Sequence, residues 1–188
     1  MGCDLFEVDN GVCTIYGAAV PPSLRTHRYE ALGGHGSFER ARGKTATSSS
    51  YYDPLNSTRA VDGDNTTVFH SLDTYSIDQP WLLIDLISCV RVEKIRVLPY
   101  TLLPNQVERF VDIQFLGGVN PPPSPGDFSA YTVLAYYAGP PALGSLQWIE
   151  FNLASPVCSR YVAVNKRAQH PYPFYLLVIV ELEIWTSY

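Results

Sequence analysis

The feature that most constrains the fold is a succession of short, β-type hydrophobic runs separated by turn residues. In "RFVDIQFL" (109–116) every second residue from Val111 is apolar, and "LQWIEFNL" (146–153) repeats the pattern. A period of two places alternate side chains on opposite faces of a strand, so the odd-numbered apolar residues should face a core. No stretch has the 3.6-residue period of a three-turn amphipathic helix. The pattern predicts an all-β sandwich or barrel. The candidate strands are 81–86, 93–100, 109–116, 131–137, 146–153, 160–166 and 175–185.

Composition supports this fold class and narrows the possible partners. Of 188 residues, 13% are aromatic, which suits strands and binding surfaces. The net charge is -5 and no run of Lys or Arg occurs, so we expect no nucleic-acid partner and at most a peripheral contact with a membrane. The longest apolar run, Leu176 to Val180, ends at Glu181. It is far shorter than the roughly 20 residues of a membrane-spanning helix.

The organisation of the chain changes near residue 40. Residues 17–39 contain Pro-Pro, two glycine-rich points and no sustained period, as is typical of a linker. The preceding segment, 1–16, is too short to bury a core and holds Cys3 and Cys13, close enough in sequence to bridge. Residues 40–188 are long enough for one domain with a substantial core.

Two kinds of signal favour a secreted, extracellular protein. Two N-x-[ST] sequons begin at Asn56 and Asn65, and the cysteine count of four is even. The first thirty residues lack the basic start and apolar core of a signal peptide, so we expect the chain to be a mature form or a fragment. Whether Cys89 and Cys158 bridge depends on whether their Cα atoms approach within about 7 Å.

Catalytic motifs are absent from the sequence, which predicts a protein that is not an enzyme. "RGKT" (42–45) resembles the end of a phosphate-binding loop, but the residue five before Gly43 is Phe38 where that loop needs glycine. The four histidines have no metal-ligand spacing, and no Gly-x-Ser-x-Gly elbow occurs. An enzyme would have to be assembled from residues scattered along the chain.

The stretch "RAVDGDNTT" (59–67) concentrates carboxylates and other side-chain oxygens around a glycine. The segment from Asp62 to Asp73 has the length of an EF-hand loop, but Thr67 stands where that loop requires glycine. An irregular loop can still hold a hard cation through carboxylate and carbonyl oxygens. The local sequence therefore leaves two interpretations open, a calcium site and a simple Asp-Gly turn.

Longer motifs resemble a known family. "GKTATSSSYYDPLNSTRAVDGDNTT" (43–67) and "DQPWLLIDLISCVRVEKIRV" (78–97) resemble the start of discoidin-type (coagulation factor type C) domains, most closely the F-type lectin, or fucolectin, branch. "SRYVAV" (159–164) and "VELEI" (180–184) are similar to the family's last strands. The resemblance implies an eight-stranded jelly-roll β-sandwich of the galactose-binding-domain type, with binding loops at one end.

The resemblance also implies a bound Ca²⁺ with mixed carboxylate and carbonyl ligands, which suit a hard cation. Carried over by position, the ligands are oxygen atoms of Arg59, Asp62, Asp64, Ser71, Val180 and Glu181.

At the sugar site, the resemblance places Asp73 where fucose-binding members have a histidine, Tyr100 near their first arginine and Arg109 at their second. Because only Arg109 matches, we do not expect fucose recognition by the usual three-residue grip. The expected function is calcium-dependent carbohydrate binding in a secreted protein, with a terminal sugar as the partner. The alternative is an extracellular adhesion module that binds a cell-surface protein or a lipid headgroup through the same loops.

Two further expectations follow from the resemblances. "CDLFEVDNGVCTIY" (3–16) resembles the end of a PAN/apple module, which implies a longer extracellular mosaic. A glycan on Asn65 would crowd the metal loop, so we expect Asn56 to be glycosylated and Asn65 to be bare.

Overall fold

The computed structural model describes residues 6–9, 12–15, 37–72, 79–144, 146–167 and 176–187. The chain divides into two compact units, Met1–Gly36 and Ser37–Tyr188. In the first unit, β1 (Phe6–Asp9) and β2 (Val12–Ile15) form an antiparallel hairpin. Cys3 and the linker up to residue 36 lie outside the described residues.

The described residues of the second unit form eight strands in one antiparallel sheet. A single helical turn, α1 (Pro104–Val107), and a 3₁₀ turn, Ser57–Ala60, interrupt the loops. Among the described residues, no helix is long and apolar enough to cross a membrane. The strands are β3 (Ser37–Glu39), β4 (Thr45–Ser48), β5 (Phe69–His70), β6 (Trp81–Pro99), β7 (Ile113–Gly118), β8 (Thr132–Tyr137), β9 (Ile149–Lys166) and β10 (Val178–Ser187).

A long ribbon of β6 and β9 organises the sheet. It pairs Trp81 with Asn165 at one end and Val97 with Ile149 at the other, and its register shifts after Asp85. The first half of β6 pairs with β4 and the second half with β10, while the second half of β9 pairs with β7. The sequence predicts two strands within β6 and two within β9, and each pair is one continuous strand in the structure.

The two halves of the ribbon share one core. Leu82 and Ile84 from the first half of β6 belong to the same buried cluster as Ile95 and Val97 from the second half. The sheet therefore folds over itself into the predicted all-β sandwich. The predicted core faces are confirmed: Val111, Ile113 and Phe115 are buried, and Ile149, Phe151 and Leu153 pack against the core cluster.

The bend of the ribbon is fixed by two cross-strand links. Arg160 makes two hydrogen bonds of 2.9 Å to the carboxylate of Asp85. Cys89 and Cys158 form a disulfide with their Cα atoms 5.6 Å apart, within the distance that a bridge requires. Both links join β6 to β9 where the regular pairing is interrupted.

Candidate functional site

Three of the predicted calcium ligands converge on one point in the loop after the 3₁₀ turn. The Thr67 hydroxyl oxygen lies 2.8 Å from Asp62 Oδ2, 3.2 Å from the Asp64 carbonyl and 3.4 Å from the Arg59 carbonyl. The loop reaches this shape because Gly63 adopts a φ of 79° and Asp62 Oδ1 accepts the Asp64 amide at 2.8 Å. A hydroxyl has one proton to donate, so it cannot satisfy three acceptors at once. The arrangement suits a small cation held by oxygen atoms.

Glu181 brings a second carboxylate to this loop from β10. The side chain is 3% exposed, and its Oε2 accepts the Gly63 amide at 3.0 Å. Burial raises the pKa of the Glu181 carboxyl to about 8. The neighbouring carboxylates of Asp62, Glu183 and Glu39 add to this rise, and the Gly63 amide opposes it. A buried carboxylate among other carboxylates is an unfavourable place for a negative charge unless a cation joins it.

The other two predicted ligands lie beside the join between β5 and β10. Ser71 is fully buried, donates its amide to the Leu177 carbonyl at 3.0 Å, and accepts the Leu177 amide on its hydroxyl at 2.9 Å. Val180 sits in β10 where the register with β6 shifts, directly before Glu181. In the described part of the chain no three His, Cys, Asp or Glu side chains gather as a metal cluster, so a cation here needs carbonyl and hydroxyl oxygens as well.

A second cluster forms where Arg109 meets His70. Arg109 Nη1 lies 3.2 Å from His70 Nε2, and His70 Nδ1 lies 2.6 Å from the Ser71 carbonyl. A carbonyl can only accept, so Nδ1 carries the proton and Nε2 accepts from Arg109. The Nε of Arg109 is buried and has no hydrogen-bond partner among the described residues. Within the described part of the chain, Arg109 is therefore held by a side-chain contact at one nitrogen, and its Nε has donor capacity to spare.

Tyr52 and Lys166 complete this cluster. The centre of the Tyr52 ring lies 6.2 Å from that of the His70 ring, and Tyr52 is 59% exposed. The Tyr52 amide donates to the His70 carbonyl at 2.9 Å. Lys166 Nζ donates to the carbonyls of Arg109 at 2.9 Å and Leu176 at 3.1 Å. Burial lowers the pKa of Lys166 to about 8. The cluster therefore combines the Tyr52 ring, the His70 imidazole and the Arg109 guanidinium with a Lys166 ammonium that is hydrogen-bonded to backbone carbonyls.

The predicted sugar-site residues are only partly assembled here. Arg109 lies in the cluster, Tyr100 is half-buried directly after β6, and Asp73 lies outside the described residues. Sequence reasoning missed His70, because it assigned the family's histidine position to Asp73. It also missed Thr67, which it treated only as a mismatch to the EF-hand pattern. The available signal was that both belong to the segment directly after Asp62.

The two sequons differ in their surroundings. Asn56 is half-buried, and its Oδ1 accepts hydrogen bonds from the amide and the hydroxyl of Thr58. Asn65 is exposed. The expectation that only Asn56 is glycosylated stays a prediction.

Comparison with known proteins identifies the fold. No family model and no curated protein matches the chain. Among solved structures, the F-lectin (fucolectin) from striped bass (Morone saxatilis) serum matches with a TM-score of 0.64 and 20% identity over 80% of this chain. This chain has the F-type lectin fold. The match covers 48% of the striped bass chain, so this chain spans about half of that protein.

Two single-module structures share the F-type lectin fold. The lectin-binding domain of Lectinolysin, a His 62 mutant complexed with Lewis b, matches with a TM-score of 0.59 and 23% identity over 79% of this chain and 95% of the other. The family 32 carbohydrate-binding module of C. perfringens NanJ, in complex with galactose, matches with a TM-score of 0.59 and 16% identity over 79% and 98%. The predicted galactose-binding-type sandwich is thereby confirmed, and at these identities the likeness establishes the fold alone.

Within this F-type lectin fold, the two clusters share one short segment. Thr67, in the loop that carries Asp62, is three residues before His70, which belongs to the Arg109 cluster. In β5, His70 pairs with Val178 of β10. Three residues later in β10, Glu181 returns to the loop through the Gly63 amide. The position of His70 therefore depends on both the loop and the last strand.

Proposed function

We propose that the domain binds a terminal sugar of a glycan at the surface formed by Tyr52, His70 and Arg109. The observation that carries this proposal is the Arg109 side chain, positioned by His70 at one nitrogen while its buried Nε lacks a partner among the described residues. Two proteins with the same fold, the Lectinolysin and NanJ modules, are described in complex with Lewis b and galactose. Both support a saccharide as the ligand.

The chemistry of the cluster suits a sugar. The planar guanidinium of Arg109 presents donors in a rigid fork, which matches neighbouring hydroxyl oxygens on a pyranose ring. Tyr52 offers an exposed ring face against which the apolar side of a sugar can stack. Lys166 holds the backbone of Arg109 through its carbonyl and His70 holds its side chain at Nη1, so little freedom of Arg109 is lost when the ligand binds.

A Ca²⁺ ion in the loop is the second part of the proposal. Asp62 and Glu181 would supply carboxylates, Arg59 and Asp64 carbonyl oxygens, and Thr67 its hydroxyl. Ser71 and Val180, also implied by the family resemblance, stay candidates for the same ion. The ion would neutralise the two carboxylates and tie the loop to β10, which keeps the segment ending at His70 in place.

Secretion is proposed on independent grounds. The disulfide joins Cys89 and Cys158, which are 69 positions apart in sequence, and such bridges persist in oxidising compartments. The exposed sequon at Asn65 and the half-buried one at Asn56 are compatible with a glycoprotein.

A glycan array with and without a calcium chelator tests the sugar proposal. We expect binding by the wild-type domain and loss of at least about tenfold in affinity for Arg109→Ala, equivalent to about 1.4 kcal/mol. Arg91→Ala, which removes an exposed arginine near the ribbon bend, is the matched control and should bind normally. A folded wild-type domain that binds no glycan in either condition contradicts the proposal.

An adhesion module remains the second candidate, because apolar side chains are exposed near α1. Leu102 and Leu103 are 48% and 53% exposed directly before the helical turn that leads to Arg109. Exposed leucines of this kind are typical of protein contacts. This function would be favoured if the wild-type domain binds no glycan on the array but binds a protein partner, and if a Leu102→Ser, Leu103→Ser double variant no longer binds that partner.

A further inference from the structure

The outer face of the second half of β6 carries ordered rows of side chains. Ile95 and Val97 point into the core, so Lys94 and Arg96 point outward. In the neighbouring strands, Lys94 pairs with Trp185 and Arg96 with Glu183 of β10. This face does not contain any residue of the Arg109 cluster.

An open groove of about 420 Å³ lies over this face. Its volume falls within the roughly 300–1,000 Å³ of small-molecule sites. Two of the chain's three tryptophans line it, together with carboxylates and polar groups from three loops and strands. The lining residues used below are Trp148, Trp185, Glu39, Glu183, Arg42 and Asn65, and the groove also reaches Gly63 and Glu181 of the proposed calcium site.

Both tryptophan rings are fixed by neighbouring charges. The Arg96 guanidinium lies 4.4 Å from the centre of the Trp148 ring, and the Lys94 ammonium lies 4.9 Å from that of Trp185. Trp185 Nε1 donates to Glu183 Oε2 at 2.8 Å. The rings are therefore in place before a ligand arrives, which lowers the entropic cost of binding.

The carboxylates of the groove are held as well. Glu183 Oε2 also accepts Arg96 Nη1 at 2.8 Å. Glu39 accepts the Arg42 amide at 2.9 Å, the Ile184 amide at 3.2 Å and the Ala41 amide. These carboxylates can accept hydrogen bonds from the hydroxyls of a neutral ligand, and their remaining negative charge would repel an anionic one.

We propose that this groove is a second saccharide site, which takes a neutral glycan chain with its pyranose rings against Trp148 and Trp185 and its hydroxyls donating to Glu39 and Glu183. Exposed Asn65 and Arg42 at the loop side offer donors to the ring and hydroxyl oxygens of the same chain. None of the residues that line the groove belongs to the Arg109 cluster, although the groove adjoins the proposed calcium site at Gly63 and Glu181. The test therefore varies the tryptophans and Arg109 and leaves Glu181 unchanged.

The test compares Trp148→Ala, Trp185→Ala and Arg109→Ala with the wild-type domain on one array that contains neutral and sialylated glycans. Gln147→Ala, an exposed position beside Trp148, is the control. We expect each tryptophan variant to lose at least tenfold in signal for a set of neutral glycans that Arg109→Ala and Gln147→Ala still bind. If the array is silent for Arg109→Ala at every glycan, or the tryptophan variants keep every signal, the second site is overturned. Tryptophan-dependent signals that are exclusively sialylated also overturn it.

A second measurement protects the test against misfolded variants. Glu183→Gln keeps the volume of the side chain, and circular dichroism melting will show whether each variant is folded. Titration of the wild-type domain with the neutral glycans selected by the array should change tryptophan fluorescence, and Glu183→Gln should weaken that titration several-fold. Equal titration curves for the wild-type domain and folded Glu183→Gln contradict the role of the carboxylate.

Discussion

The carboxylate of Glu181 accepts the backbone amide of Gly63 at 3.0 Å, although the two residues are 118 positions apart. This single contact joins the loop that carries Asp62 to the last strand of the sandwich. Since Glu181 is also almost completely buried, the loop and the strand cannot separate without exposing it.

Calcium should stabilise the fold through this junction. At a concentration a hundred times its dissociation constant, a ligand of the native state contributes about 2.7 kcal/mol, or about 5–10 °C in melting temperature for a domain of this size. Asp62→Ala should lose that increment in calcium and melt close to the wild-type domain in chelator. Asp127→Ala is the control, because Asp127 also accepts its hydrogen bonds in a local turn, from Ser129. An equal calcium-dependent rise in melting temperature in both variants would contradict the assignment of Asp62 as a calcium ligand.

His70 should affect sugar binding through Arg109. Nε2 of His70 is the acceptor that orients Arg109 Nη1 among the residues that the structure describes, so His70→Ala should weaken binding about tenfold. His70→Gln supplies an acceptor on a side chain of similar reach and should recover part of the loss. Calorimetry with the best glycan of the array measures both. A Gln variant as weak as the Ala variant, with both folded, argues against orientation by hydrogen bonding.

Lys166 should make stability depend on pH. Burial lowers its pKa in the folded state to about 8, from 10.5. Below pH 8 the amine is protonated in both states, and its burial lowers the free energy of unfolding by the full amount. Between pH 8 and 10.5 the unfolded state binds more protons than the folded state, so the free energy of unfolding rises with pH. Urea unfolding at pH 7.5, 9 and 10 measures this effect. From pH 7.5 to 10, the free energy of unfolding of the wild-type domain should rise relative to that of Lys166→Met by on the order of 1–3 kcal/mol. Parallel curves for the two proteins would contradict this sign.

The Cys89–Cys158 disulfide should contribute to stability but not to sugar binding. The bridge closes a long segment, because the cysteines are 69 positions apart in sequence, so its loss should cost about 2–4 kcal/mol. Cys158 precedes Lys166 by eight residues, roughly 25 Å of extended strand, so the Arg109 cluster is remote from it. A Cys89→Ser, Cys158→Ser double variant should melt earlier and bind the array glycans normally at 20 °C. Lost binding by the folded variant would show coupling between the bend and the cluster.

Local sequence predicted the strands well because alternation reflects the local choice between core and solvent. The period-two pattern of 109–116 and 146–153 places the same residues in the core that the structure buries. It could not show that 81–86 and 93–100 are one strand, because the link runs through a bend held by remote partners such as Arg160.

The candidate site was less predictable, because long-range pairing assembles it. His70 reaches Arg109 only after β5 pairs with β10, and nothing in the residues around His70 specifies that partner. The family resemblance supplied Asp62 and Glu181, and the hydrogen bond from the Gly63 amide to Glu181 joins the two segments that carry them. Their role as calcium ligands stays a prediction. Asp73, the third residue predicted for the sugar site, lies outside the described residues.

The position of β10 in the chain has a consequence for biosynthesis. This strand follows all the others in sequence and pairs with β3, β5 and β6, and it carries Glu181. A nascent chain that has not yet emerged as far as Val178 lacks the partner of His70 and the carboxylate that reaches Gly63. The proposed sugar surface and the proposed calcium loop can therefore be complete only after β10 has been synthesised, and premature termination before β10 yields a product that lacks part of both.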